Sequence, residues 1–156
     1  MPFYSRKNPR ASWFDYSSEW LFFVTICTKD HECYFGKIEN NKMLFSEIGK
    51  ICEEELQKML SIRPNIELFN YVIMPNHVHL LLCKGDDNLF LWDIIAWFKA
   101  WVTRHCHQEN ITFWWQNRYH DVIVRDEKGY IAMNNYISTN IENWGKDKFY
   151  KIWEGI

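Results

Sequence analysis

Two apolar runs, Glu67–Met74 (ELFNYVIM) and His77–Lys84 (HVHLLLCK), stand with only Pro75-Asn76 between them. Both read as strands. A connection this short joins strands as an antiparallel hairpin, because a parallel pair needs a crossover of a dozen residues or more. The chain must therefore be built around an antiparallel sheet. Leu21–Thr28 (LFFVTICT) reads as a further buried strand. Cys33–Phe45 reads as a hairpin turning at Glu39-Asn40-Asn41, and Tyr119–Asp126 (YHDVIVRD) as an alternating strand.

Helical patterns fill the gaps. Ser46 is a candidate N-cap for a helix reaching about Leu60, with Ile48, Ile51, Cys52, Leu56 and Met59 on one face, and Pro64 beyond its end. A second helix is expected from about Leu89 to His107, carrying Leu91, Ile94, Ile95, Phe98, Trp101 and Val102 at helical spacing. A third is expected from near Asp126 to about Asn143, with Gly145 as its C′ residue. The order predicts an α+β fold, an antiparallel sheet with helices packed on one face, close to the ferredoxin-like (RRM-like) βαββαβ plan. The 156 residues suit one domain, 1–156, with 1–19 a flexible arm and 145–156 a tail.

Charge and cysteines narrow the class. Against 20 acids stand 18 Lys and Arg, a net charge of −2, which excludes a polycationic, histone-like nucleic-acid binder. The five cysteines are odd in number and contain no Cys-x-x-Cys, so they read as small core hydrophobes in a reducing cytoplasm. Apolar runs are too short for a membrane span, and the N-terminus has no signal-peptide pattern.

The chemistry concentrates in His77-Val78-His79. Side chains alternate across a strand, so both imidazoles project from one face and can converge on a divalent cation, with a third ligand needed from elsewhere. His105-Cys106-His107 has the same spacing on a helix, where residues two apart diverge, and is rejected as a ligand pair. On the third helix Tyr136 and Asn140 form an i, i+4 pair beside the core stripe of Tyr130, Met133, Ile137 and Ile141. If Asn140 reaches the histidines, its amide oxygen is a candidate third ligand, with Tyr136 one turn away.

These pieces carry a resemblance. Tyr71–Leu82 (YVIMPNHVHLLL) resembles the HUH motif (His, hydrophobic, His) of single-tyrosine transposases, specifically the REP-associated tyrosine transposases and their insertion-sequence relatives. Phe14–Ile38 looks like the family's N-terminal strand and hairpin, and Asp93–Trp101 (DIIAWFKAW) like its "DIIxxFKS" helix. Trp115–Lys128 (WQNRYHDVIVRDEK) is similar to "WQRxYHDxIIRDEK", and Asn134–Trp144 (NNYISTNIENW) to "REYIxxNPxxW". The sequence departs from the pattern at Ile141 and Glu142, where the family has Pro and an apolar residue, and in its acidic balance.

The resemblance implies an HUH endonuclease architecture. His77 and His79 would be metal ligands, Asn140 would complete the site, the cofactor would be Mg2+ or Mn2+, and Tyr136 would be the nucleophile. It implies cleavage and rejoining of single-stranded, hairpin-bearing DNA through a 5′-phosphotyrosine, with no nucleotide cofactor, by a monomer or a homodimer. His120 falls in the Tyr-His-Asp stretch without an assignable role. The 9 Trp, 8 Tyr and 11 Phe make base stacking a possible source of affinity, at about 1–3 kcal/mol per base. Trp97, Trp101, Trp114, Trp115 and Trp153 are candidates for it, and Lys84, Lys99, Arg104, Arg118 and Arg125 for phosphate contacts. Two other readings stand beside the enzyme: a domesticated, non-transposing hairpin-binding protein, and a ferredoxin-like RNA-binding domain.

Overall fold

The computed structural model describes residues 20–85 and 89–152. The expectations for the arm at 1–19 and for Trp153 lie outside the described residues. In chain order the elements are β1 (Trp20–Thr28), β2 (Gly36–Glu39), β3 (Lys42–Phe45), α1 (Glu47–Ile62), β4 (Ile66–Ile73), β5 (His77–Lys84), α2 (Leu91–Gln108), β6 (Trp115–Val124) and α3 (Glu127–Thr139). A 3-10 turn at Trp144–Lys146 follows.

Four strands form one sheet in the order β4-β5-β1-β6, every neighbouring pair antiparallel. With α1 and α2 as its two crossovers this is the ferredoxin-like βαββαβ arrangement. Hairpin β2–β3 is separate, and Asn40 and Asn41 turn it with φ of 50° and 58°, the left-handed pair that suits the twist of a two-residue hairpin. Ser46 caps α1 by accepting the Gly49 N–H at 3.1 Å, and Asp126 caps α3 by accepting the Gly129 N–H at 2.7 Å.

Strand alternation sorts the core into two layers. Phe22, Val24 and Ile26 of β1, with Val78, Leu80 and Leu82 of β5, face α1 and α2, where Ile51, Leu56, Ile94, Phe98 and Val102 meet them. Leu21, Leu81 and Cys83 point the other way, toward Phe69, Tyr130, Ile137 and Trp144. The two crossover helices thus share one face. Helix α3 lies outside the βαββαβ core and covers the opposite face, over β4 and β5. Among the described residues no helix covers the β6 side of that second face.

Two boundaries differ from the sequence reading. Strand β6 begins at Trp115, because an irregularity between Ile26 and Thr28 lets β1 keep pairing as far as Trp115. Helix α3 ends at Thr139, with Asn140 as C-cap, although no proline follows. The backbone instead tightens to bonds three residues back, Asn140 N–H to the Ile137 carbonyl at 3.3 Å and Trp144 N–H to the Ile141 carbonyl at 3.2 Å, and runs into the 3-10 segment holding Gly145. Residues 145–152, expected as part of a tail, are tied to the sheet end: Asn76 Nδ2 donates to the Phe149 carbonyl at 2.7 Å, and Lys151 pairs with Glu32. All five cysteines are buried free thiols.

Candidate active site

The sheet register sets the site. His77 lies opposite Cys27 and His79 opposite Thr25, so both imidazoles project from the face that α3 covers. They are 0% and 2% exposed, with ring centroids 4.6 Å apart in an edge arrangement. Asn76 fixes the first ring. Its Nδ2 donates to the carbonyls of His31 (3.0 Å) and Phe149 (2.7 Å), so its Oδ1 is the acceptor for His77 Nδ1 at 2.8 Å. His77 therefore carries its proton on Nδ1 and turns a lone pair at Nε2 inward. His79 Nδ1 is engaged by Thr25 Oγ1 at 2.9 Å. Both Nε2 atoms are buried with no hydrogen-bond partner.

Burial holds both imidazoles down to a pKa of about 3, the charge of each neighbourhood adding to it. For His77 the Asn140 side chain opposes the shift, while the fields of His31 and Lys148 reinforce it; for His79 the fields of His77 and Lys148 reinforce it and the Asp147 charge opposes it. At neutral pH the pair is uncharged; His77 Nε2 is free to donate an electron pair, and His79 Nε2 is so in the tautomer whose Nδ1–H donates to Thr25 Oγ1.

Helix α3 brings the second half. Tyr136 and Asn140 stand one turn apart on its sheet side. Asn140 is 3% exposed, its Nδ2 donates to Asp147 Oδ2 at 3.3 Å, and its Oδ1 is a third buried atom without a hydrogen-bond partner. Asp147 Oδ2 lies 3.8 Å from His77 Nε2. The Tyr136 ring meets His79 edge-on, centroids 5.3 Å apart, and both contact Phe23, which stacks on His79 at 5.0 Å. Tyr136 stays 39% exposed. Burial and the Asp147 charge raise its phenol above the usual value, and the Asn140 side chain pulls it partly back.

Two imidazole nitrogens and an amide oxygen, all buried and all unpartnered, fit a small divalent cation. Neutral N and O donors suit Mn2+ and accept Mg2+. Among the described residues no three His, Cys, Asp or Glu side chains are arranged to hold a metal, so a site here would need the Asn140 amide oxygen as a donor.

The remaining sequence candidates divide by face. Thr25 pairs with His120 across β1–β6 and Phe23 pairs with Val122, so His120 and Val122 lie on the histidine face, at the edge that no described helix covers. Arg118, two residues before His120, is exposed on the same strand, and Arg125 is exposed just past its end. Trp114 is 55% exposed and lines a cavity of about 550 Å³ with Lys29, His31, Asn117 and Arg118. Lys99 and Arg104 lie elsewhere, and Trp115 borders the same cavity while packing inward on the core. Lys99 Nζ donates to the Gln116 carbonyl at 2.6 Å, Trp115 Nε1 donates to the Lys99 carbonyl at 3.2 Å, and the Trp115 ring packs on Phe35, Phe98 and Phe113. Arg104 is on α2, behind the sheet. Trp97 and Trp101 receive Arg63 and Lys58 in the α1–α2 layer.

Sequence reasoning missed Thr25, Asn76 and Asp147. A lone hydroxyl in the apolar run LFFVTICT and the amide next to His77 were the available signals for the first two. Asp147 had none, since only the turn after α3 brings it back.

The model of the family "Transposase IS200 like" matches residues 26–140. A protein of Haemophilus influenzae, itself uncharacterised, is 32% identical over 93% of this chain and 93% of its own length. Among solved structures, a REP-associated tyrosine transposase bound to a REP hairpin superposes with a TM-score of 0.62 at 21% identity, over 83% of this chain and 70% of the other. A candidate transposase from Deinococcus radiodurans gives 0.52 at 19% identity, over 81% and 94%. At those identities the two structures speak for the fold.

Proposed function

The chain belongs to the IS200-like transposase family, and from that premise we propose that it cleaves and rejoins single-stranded DNA with Tyr136 as the nucleophile. The observation that carries the reading is the packing of Tyr136 against His79, beside three buried, unpartnered donor atoms, within one chain. In the reaction, the Tyr136 oxygen forms a bond to a backbone phosphorus and gives its proton to solvent, while the bond from phosphorus to the 3′ oxygen breaks and that oxygen takes a proton from solvent. The products are a 5′-phosphotyrosine and a free 3′-hydroxyl, and the reverse attack rejoins the strand. One ester replaces another, so no nucleotide cofactor is consumed.

His77 Nε2, His79 Nε2 and Asn140 Oδ1 would hold Mn2+ or Mg2+, whose role when bound is to stabilise negative charge on a phosphate oxygen. The protein's own part is positioning. Phe23 and His79 fix the tyrosine ring, and Asn76 and Thr25 fix the imidazoles. Exposure of Tyr136 on one side leaves an approach for a strand.

We assign the DNA path to the edge of the histidine face that no described helix covers, over His120, Arg118 and Arg125. Trp114 offers a stacking surface for an unpaired base at one end. Lys148, whose field reaches both histidines, is a further phosphate contact. A hairpin substrate is proposed by analogy with the structural neighbour bound to one. The path accommodates a net charge of −2, because a few local cations and stacked bases replace a broad basic face. The RNA-binding reading gives no reason for His79 and Tyr136 to pack together as they do.

Incubation with labelled hairpin-bearing single strands and Mn2+, followed by denaturing electrophoresis, tests the proposal. A covalent protein–DNA band is expected, absent with EDTA and in Tyr136→Phe. No band from the wild-type chain with any strand from its own genomic flanks would contradict it.

A further inference from the structure

Asp147 is the one buried acid beside the three unpartnered donors. Its side chain is 1% exposed, and among the described residues no Lys or Arg side chain lies within ion-pair distance of it. The adjacent Lys148 ammonium turns instead to the Phe149 ring, 4.8 Å away. Asp147 is held tightly nonetheless. Its N–H closes the 3-10 turn on the Trp144 carbonyl at 3.0 Å, and its Oδ1 accepts the Phe149 N–H at 2.8 Å. Its Oδ2 is left for Asn140 Nδ2 (3.3 Å) and the neighbourhood of His77 Nε2 (3.8 Å).

Two consequences follow from this geometry. An amide has one donor end and one acceptor end. A carboxylate accepts only, so Asp147 must take the NH2 end of Asn140 and turn Oδ1 toward the histidines. A buried carboxylate without a cationic partner is also costly, and that cost falls when a cation enters next to it. The donors at His77, His79 and Asn140 are all neutral, so Asp147 supplies the only formal negative charge that the described side chains bring to them.

We infer that Asp147 is a positioning residue of the cation site: it orients the Asn140 amide and provides the anionic charge that favours a divalent ion there. The inference rests on the reading of His77, His79 and Asn140 as that site. Its commitment is that removing the charge while keeping the shape weakens the site without unfolding the chain.

The test uses the full chain stripped with EDTA and titrated with Mn2+, bound ion being read from loss of the free-ion EPR signal. Wild type is expected to bind one Mn2+, and His77→Ala/His79→Ala none. Asp147→Asn should bind about 10- to 100-fold more weakly. The exchange Asn140→Asp/Asp147→Asn keeps one amide facing one carboxylate and should recover most of that loss, which a merely structural role for Asp147 does not predict. It also carries the test should Asp147→Asn fold poorly. Asp147→Asn binding as tightly as wild type, or an exchange variant no better than Asp147→Asn, overturns the inference about Asp147 alone. Absence of Mn2+ binding by wild type, or undiminished binding by the double histidine variant, overturns the cation site and this inference together. The tyrosine assignment is judged separately by the covalent band.

Discussion

Tyr136 meets His79 edge-on within a single chain, ring centroids 5.3 Å apart and planes inclined at 71°. The proposed nucleophile and the proposed ligand pair thus need no second subunit to meet. Mixing Tyr136→Phe with His77→Ala is therefore expected to give no covalent DNA adduct, because neither chain holds both halves. An adduct restored by mixing, scored on a denaturing gel, would show that the tyrosine works across two chains.

Asn76 is fully buried and joins three segments: it accepts from His77 Nδ1 and donates to the His31 and Phe149 carbonyls. Asn76→Ala strands those groups. It should cost about 2–4 kcal/mol in urea unfolding. Mn2+ affinity should drop about 10- to 100-fold as His77 loses its fixed tautomer. Wild-type Mn2+ affinity in a folded Asn76→Ala chain would contradict the role given to Asn76.

The proposed DNA path separates two arginines that look alike in sequence. Arg118 stands on the edge strand of the histidine face, and Arg104 stands on α2 behind the sheet. Arg118→Ala should lower the slope of log affinity against log salt for single-stranded DNA by about 0.7, the value for one phosphate contact. Arg104→Ala should leave the slope unchanged. Equal effects of the two in a fluorescence-anisotropy titration would move the path elsewhere.

Away from the site, Tyr71 is 4% exposed and its hydroxyl donates to Glu53 Oε1 at 2.6 Å. Burial first, and then Glu53, raise its phenol well above the usual range. The folded chain thus keeps a proton there that the unfolded chain releases above about pH 10. The associated stability is fully present below that value and is lost as pH rises toward the folded pKa. Urea midpoints should fall between pH 9 and 11, and the fall should be shallower in Tyr71→Phe. An equally steep fall in Tyr71→Phe would contradict the assignment.

The order of strands and helices was legible because it depends on local pattern: Pro75-Asn76 between apolar runs, Ser46 before α1, paired asparagines at 40 and 41. The His77–His79 pair was legible for the same reason, since a period of two places both on one face. The end of α3 is not legible in the sequence because it is set by a tightening of the backbone to bonds three residues back at Asn140 and Trp144, which periodicity does not record. Residue type makes Lys99 and Trp115 candidates for DNA contact, but it does not show that each also hydrogen-bonds the other's element across the α2–β6 junction. Asp147 lay furthest from reach, because its meeting with His77 joins positions seventy residues apart through a turn with no sequence signature.

The central claim is that Tyr136 forms the bond to DNA. Mass spectrometry of the covalent adduct, after nuclease and trypsin digestion, identifies the attachment point directly. The account predicts a 5′-phosphonucleotide on Tyr136, within the tryptic peptide spanning residues 129–146. A nucleotide carried by any other residue, with Tyr136 unmodified, would contradict it.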